Sequence, residues 1–348
     1  MYSAGVIRGD GIGPEICEAA LKVVEATEVK IQWEEVLIGR EAQRLMGVEL
    51  PFGSLEKIRQ LGVVLKGPLL AERQSGGVVV EENGLVRRHP SVNNGLRKEL
   101  GTFVNVRPIR GHASVSGQYK DLDVIIVREV SEDLYSGLER RVNGNCAEAV
   151  KRISRQASQR VARFACEYAQ SHRRKKITAV HKANVLHETD GLFLESVRSV
   201  MAEFPDLAFD DQMVDAAAYL LVRRPQLFDV LVMPNQYGDI LSGLTAGLIG
   251  SVGLAPGANY GPKVALFEAA HGAAPDIAGQ GLANPAGLVL SAAMLLDHLG
   301  ETEKAERIRG SIAEVLSEER LRTPDLGGRA STTEFCEALC EHLRCPSK

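Results

Sequence analysis

Short aliphatic and β-branched runs alternate along most of the chain with longer stretches whose apolar positions recur every three to four residues. This pattern predicts parallel strands joined by amphipathic crossover helices, an α/β protein. Val6 and Ile7 end a first strand, and a tight turn leads into a helix over residues 15–28. Further strands are expected at 62–65, 124–127, 177–180 and 230–233. Long helices are expected at 147–170 and 286–300, the second with Pro285 at its start, where a missing N–H does no harm. Residues 71–90 break the pattern. Glycines and charges surround only Val78, Val79 and Val80, so a long loop with one small strand, a candidate lid, is expected there.

At 348 residues the chain is long enough for about two domains of roughly 150 residues. Forty-one Lys and Arg against 45 Asp and Glu leave a net charge of −4, so no overall basic field recruits nucleic acid or an anionic bilayer. The best apolar run, 216–222, is far shorter than a membrane span. Arg8 and Asp10 interrupt any apolar leader, so a cytoplasmic, reducing setting is the expectation. Cys17, Cys146, Cys166, Cys336, Cys340 and Cys345 form no CxxC pair, which argues for unpaired thiols and against a zinc site.

Candidate chemistry collects at the ends of the predicted elements. Gly9-Asp10-Gly11-Ile12-Gly13-Pro14 follows a strand and opens a helix, yet it fails the dinucleotide fingerprint, because the third glycine would fall on Pro14 or Ile16. A strand-to-helix turn that needs glycine dihedrals explains it equally well. Arg97, Arg107 and Arg128 lie near loop or strand ends and offer rigid donor forks suited to a multiply anionic small acid. Lys182 ends another strand, where partial desolvation would let it act as a base, and Tyr135 is a complementary proton donor. Asp215 and Asp239, the latter in an expected turn 235–239, supply hard oxygen donors for Mg²⁺ or Mn²⁺, or else cap helices. The loop 267–279 is rich in Gly and Ala, so a flat ligand could approach its backbone. Asp276 there suits a ribose diol and favours NAD over NADP.

The order of these stretches closely resembles the β-decarboxylating dehydrogenases, the isocitrate and 3-isopropylmalate dehydrogenase family. The resemblance runs through residues 9–15, 66–69, 91–98, 105–108, 128–137, 181–184, 234–242, 255–261, 268–279, 283–285 and 323–328. It implies a two-domain isopropylmalate dehydrogenase-like fold whose dinucleotide binding is not of the Rossmann kind. Residues 1–103 with 250–348 would form a large cofactor-binding domain, and 104–249 a small domain carrying a homodimer interface. It further implies shared active sites, with Lys182 and Asp215 arriving from the neighbouring subunit. Ser91, Asn93, Arg97, Arg107, Arg128 and Asn184 would bind substrate, and Tyr135 and Lys182 would move protons. Asp215 and Asp239 would hold the metal. NAD would lie on Ile12, His271, Gly272, Ala274, Asp276, Ile277 and Asn284.

The resemblance implies NAD-dependent oxidative decarboxylation of a 3-substituted (R)-malate, and Ser91 with Asn93 matches the isocitrate enzymes. Where isopropylmalate enzymes present two leucines to an alkyl group, this chain has Asn93 and Asn94, an unfavourable lining for an isopropyl. The stretch between Leu69 and Ser91 is about a dozen residues longer than in the isocitrate enzymes by this resemblance, and it carries Arg73, Arg87, Arg88 and His89. A phosphonate, as in 3-phosphonomethylmalate, is therefore an alternative substituent, alongside homoisocitrate or isopropylmalate. Four positions depart from the family pattern. Gly243 replaces a metal-binding aspartate, Leu70 and Ala71 replace threonines, and Val130 replaces an asparagine. They motivate a second alternative, a non-catalytic regulatory paralogue.

Overall fold

The computed structural model describes residues 1–70, 77–115 and 117–344. Its strands are β1 (Tyr2–Ile7), β2 (Ile31–Glu35), β3 (Val63–Lys66), β4 (Val78–Glu82), β5 (Leu85–His89), β6 (Val104–Arg110), β7 (Asp123–Glu129), β8 (Glu139–Asn143), β9 (Cys146–Ala149), β10 (Lys176–His181), β11 (Ala208–Met213), β12 (Val230–Met233), β13 (Pro256–Tyr260) and β14 (Ala265–Ala269). Ten of them form one sheet in the order β11-β10-β12-β7-β6-β13-β14-β3-β1-β2. Both wings are parallel, and only the central pairs β7–β6, β6–β13 and β13–β14 are antiparallel. The α/β expectation holds, with the antiparallel centre as an addition.

Side-chain alternation places helices on both faces of the sheet. Ile125, Val127, Val230 and Val232 pack with Val161, Ala165, Phe193 and Val197 of the helices Arg155–Ser171 and Thr189–Met201. Ile126, Leu231 and Met233 belong to the opposite cluster with Leu241, Leu288 and Ile308. Because every second residue is covered from each side, these strands read as uninterrupted apolar runs. Each such fully buried side chain contributes about 1.5–3 kcal/mol relative to exposure. A third cluster, with Ile7, Val64, Val80, Leu96 and Leu266, seats the hairpin β4–β5 and the helix Val92–Leu100 on the β1–β3 wing.

Three local expectations are corrected. The helix expected at 147–170 is Arg155–Ser171, since Ser154 caps it by accepting from the Ala157 amide at 3.3 Å, while residues upstream pair as β8–β9. The expected loop 71–90 contains the antiparallel hairpin β4–β5, turning at Asn83-Gly84 with φ 50° and 81°. An Asn-Gly pair between apolar runs is the residue signal for such a hairpin. Residues 71–76 of that stretch lie outside the described residues, and so does Cys345. Finally, the expected turn 235–239 is the start of the helix Asn235–Leu248. The other described cysteines are free thiols, all buried except Cys146. Among the described residues no helix is long and apolar enough to cross a membrane.

Candidate active site at the centre of the sheet

The antiparallel centre brings a row of polar side chains into the middle of an otherwise apolar sheet. Arg128 on β7 lies opposite Asn105 on β6, Asn105 lies opposite Asn259 on β13, and Glu268 on β14 lies opposite Lys66 on β3. Arg128 is 2 % exposed, and its Nη1 donates to Asp239 Oδ1 at 2.5 Å. Tyr135 Oη donates to the other oxygen of the same carboxylate at 3.2 Å, and its ring stands 5.6 Å from the Arg128 guanidinium. Arg107 donates to Ser242 Oγ at 2.7 Å and approaches Asp239 to 3.9 Å. Gly238 makes this geometry possible. A Cβ there would stand 2.5 Å from Arg128 Cγ, so only glycine lets the helix lie on that side chain.

Arg97, on the helix Val92–Leu100, reaches Glu268 Oε1 at 3.1 Å, and Lys66 pairs with the other oxygen of Glu268. Four cations, Lys66, Arg97, Arg107 and Arg128, therefore share two carboxylates, Asp239 and Glu268. The charge balance has a visible effect. Burial first, and then Arg107 and Arg97, push the Arg128 guanidinium down to about 9, still charged at neutral pH. Burial would raise the Glu268 carboxyl, but Lys66 and Arg97 outweigh it and hold it well below its usual range. Asp239 is likewise lowered, burial being outweighed by Arg128 and Arg107. Burial and the neighbouring Asp239 raise the Tyr135 phenol, which keeps its proton available for donation. Such a surplus of buried positive charge calls for an anion.

The substrate-side expectations fall close to this cluster. Ser91 caps the helix by accepting from the Asn94 amide at 3.3 Å, leaving its hydroxyl proton free to donate. Asn94 Nδ2 donates to the Tyr135 carbonyl at 3.3 Å, which ties the helix to the tyrosine loop. Two basic side chains of the long insertion, Arg87 and His89, are engaged elsewhere. Arg87 pairs with Glu99 at 2.7 Å and Glu82 at 2.8 Å, and His89 Nε2 meets Glu99 at 2.8 Å. Arg73 lies outside the described residues.

Lys182, Asn184 and Asp215 are not brought to this cluster within one chain. Lys182 Nζ donates to Asp215 Oδ1 at 2.6 Å, and the Asp215 side chain is 65 % exposed. Asn184 is exposed. The Lys182 amide is fixed by the buried Asp190, which also accepts from Tyr237 Oη at 3.0 Å and meets Lys151 at 2.6 Å. Among the described residues no group of three or more His, Cys, Asp or Glu side chains converges on a metal position. Gly243, one helical turn beyond Asp239, has open space where its Cβ would be.

The loop after β14 packs on the first strand-to-helix turn. The Ile12 amide donates to the Ala273 carbonyl at 2.8 Å, and a Cβ on Gly11, whose φ is 58°, would stand 1.9 Å from that oxygen. Ala274 adopts φ 38°, and Gly272 has open space beside it. His271 Nδ1 bonds the Gly272 carbonyl at 2.9 Å, so it carries the proton and Nε2 is a buried acceptor without a partner among the described residues. Burial lowers the His271 pKa and keeps the ring neutral. Asp276 is exposed, Ile277 is half-buried, and Asn284 donates to Asp325 Oδ2 at 3.0 Å. The open glycine and the orphaned His271 nitrogen suit a flat, hydrogen-bonding ligand.

Several residues of the site carried no expected role, namely Lys66, Asn105, Asn235, Ser242, Asn259 and Glu268. Their signal is present locally. Asn105 stands between Val104 and Val106, and Asn259 between Ala258 and Tyr260, so each is a polar residue at a fully buried strand position.

Fold and site together present a sheet-centred cluster of cations suited to a small anion. The family model described as isocitrate/isopropylmalate dehydrogenase matches residues 3–339. The chain is 46% identical over 342 residues to isocitrate dehydrogenase [NAD] catalytic subunit 5, mitochondrial, of Arabidopsis thaliana, covering 98% of this chain and 88% of that one. It is 42% identical over 338 residues to 3-isopropylmalate dehydrogenase of Archaeoglobus fulgidus, covering 97% and 98%. The crystal structure of isocitrate dehydrogenase from Methylococcus capsulatus superimposes with a TM-score of 0.92 at 43% identity, covering 99% of this chain and 100% of that one. The chain therefore belongs to the isocitrate/isopropylmalate dehydrogenase family.

Proposed function

We propose that the protein is an NAD-dependent decarboxylating dehydrogenase acting on a 3-substituted (R)-malate, with isocitrate as the preferred substrate. The observation that carries this is the excess of guanidinium charge at the buried Arg107 and Arg128 and the partly buried Arg97, which a compact tricarboxylate would neutralise. Asn93, half-buried and without a side-chain partner among the described residues, together with the free Ser91 hydroxyl proton, supports a carboxylate over an isopropyl group. A phosphonate tail has less support, because Arg87 and His89 already pair with Glu99.

The donor sets suit the two groups the reaction needs. Asp239 and Asp215 offer hard oxygens for Mg²⁺ or Mn²⁺. Residues 271–277 with Ile12 and Asn284 form the NAD cradle. When bound, NAD would supply a hydride acceptor and a divalent ion would supply Lewis-acid stabilisation of developing negative charge. The chain's own residues do the rest. The arginines orient the carboxylates, Lys182 takes the hydroxyl proton, and the Tyr135 phenol returns a proton to the enol left after CO₂ departs. Arg128 beside the ring favours that proton's release.

Lys182 and Asp215 pair with each other on an exposed face, and the arrangement supports a homodimer in which each protomer lends them to its neighbour's site. Exposed apolar side chains at Val142, Val150, Val185, Tyr219 and Ile240, and the wholly exposed hairpin β8–β9, would be covered by such a partner. Unpaired thiols fit a cytoplasmic location. The test is NADH formation with Mg²⁺ or Mn²⁺ on isocitrate, homoisocitrate, isopropylmalate and 3-phosphonomethylmalate, with isocitrate expected to be fastest. No NADH from any of them refutes the proposal. Gly243 favours one competing reading, a regulatory subunit, which turnover by the isolated chain would eliminate.

A further inference from the structure

The three site arginines are anchored in one chemically uniform way. Nε of Arg97 donates to Asn259 Oδ1 at 3.1 Å, and Nε of Arg107 donates to Asn105 Oδ1 at 2.8 Å. Arg128 donates to Asn235 Oδ1 from Nε at 3.0 Å and from Nη2 at 2.7 Å. All three asparagines are buried. Their amides cannot turn over without loss, because each Nδ2 is also committed. Asn105 donates to Asn259 Oδ1 at 3.1 Å, Asn259 to Glu268 Oε1 at 2.7 Å, and Asn235 to the Glu132 carbonyl at 3.0 Å.

Carboxylates in these positions would bind guanidinium more strongly. They would also cancel its charge. A neutral amide oxygen fixes the plane of the fork and adds no negative charge of its own. The carboxylates that do touch these arginines are each shared between two cations, Glu268 between Arg97 and Lys66 and Asp239 between Arg128 and Arg107.

We propose that Asn105, Asn235 and Asn259 are positioning residues for polyanion recognition, each orienting one arginine while withholding the negative charge that would silence it. This rests on the proposed function in assuming that the arginines meet substrate carboxylates.

The test compares Asn105→Asp and Asn235→Asp with the corresponding alanine variants in the full chain, after wild-type turnover of isocitrate has been measured. Aspartate keeps shape and acceptor but adds charge, while the Nδ2 donor is lost in the aspartate and alanine variants alike. KM for isocitrate should rise about 10- to 100-fold in the aspartate variants, the value of one charged hydrogen bond. The kcat should change less than about threefold and the KM for NAD should not move, while the alanine variants show a smaller rise in the isocitrate KM. Calorimetric titration with isocitrate alone should show the same ranking. A purely structural role predicts the reverse, with alanine at least as harmful as aspartate and both KM values and kcat shifting together. That pattern, or folded aspartate variants that bind isocitrate like wild type, overturns the inference. If the aspartate variants do not fold, unchanged isocitrate binding in the alanine variants overturns it. Absence of wild-type turnover and binding refutes the proposed function instead.

Discussion

The buried pair Lys66–Glu268 allows a quantitative test of how the site is held. The side chains are 2% and 12% exposed. In Lys66→Met, Glu268 keeps Arg97 at 3.1 Å and Asn259 at 2.7 Å, so its charge is still partly compensated. The cost should lie near the lower end for a broken buried pair, about 3 kcal/mol. Glu268→Gln leaves Lys66 with only the Gly67 carbonyl at 3.2 Å, beside a second cation, Arg97, and should cost more, about 5 kcal/mol. The double variant removes both charges and should cost about 5 kcal/mol rather than the sum, a coupling of about 3 kcal/mol. Urea unfolding at fixed protein concentration measures all four proteins, with midpoints shifting and slopes constant. Acidification should reduce the penalty. A carboxyl lowered in the folded state contributes stability that is complete above its unfolded value of about 4.3 and is lost as pH falls through the folded value. The deficit of Glu268→Gln should therefore narrow below about pH 4. Additive single variants, or a Lys66→Met protein within about 0.5 kcal/mol of wild type, would refute the reasoning.

Other outcomes test the site from different sides. Gly11→Ala forces a Cβ against the Ala273 oxygen at φ 58°, so the KM for NAD should rise at least about tenfold and the melting temperature should fall. An unchanged NAD affinity would remove that turn from the cofactor cradle. Gly238→Ala drives a Cβ into Arg128 and should weaken binding of the acid about tenfold or more while sparing NAD, read from separate KM values. Asp215→Asn and Asp239→Asn should each be inactive alone, yet mixing them under subunit exchange should restore a fraction of turnover, since one site of the proposed mixed dimer would be intact. Failure of mixing, with exchange verified, would mean that each site is complete within one chain.

Much of the fold could be read from local pattern. The strand at 230–233 and the core of those at 124–127 and 177–180 follow from aliphatic runs, and the helix after Pro285 from its start signal. Local pattern misleads where two signals compete. Residues 147–154 carry apolar spacing that suits a helix, but Ser154 offers a cap and the exposed segment pairs with β8 instead. The three arginines could be singled out because each lies near a strand or loop end, and they do converge near Tyr135 and Asp239.

What neighbouring residues dictate is short-ranged: backbone preference, alternation of buried and exposed positions, and which side chains carry usable charge. Strand order settled the remainder. Lys66 meets Glu268 across 202 positions of chain, and Arg97 meets Asn259 across 162. Neither contact exists until β14 lies between β13 and β3. The same long-range packing turned Arg87 and His89 toward Glu99 and set Arg128 between an amide and a carboxylate. Charge type is written residue by residue. Whether a charge is free or neutralised depends on partners that only sheet assembly, by burying apolar faces hundreds of residues apart, brings within hydrogen-bonding reach.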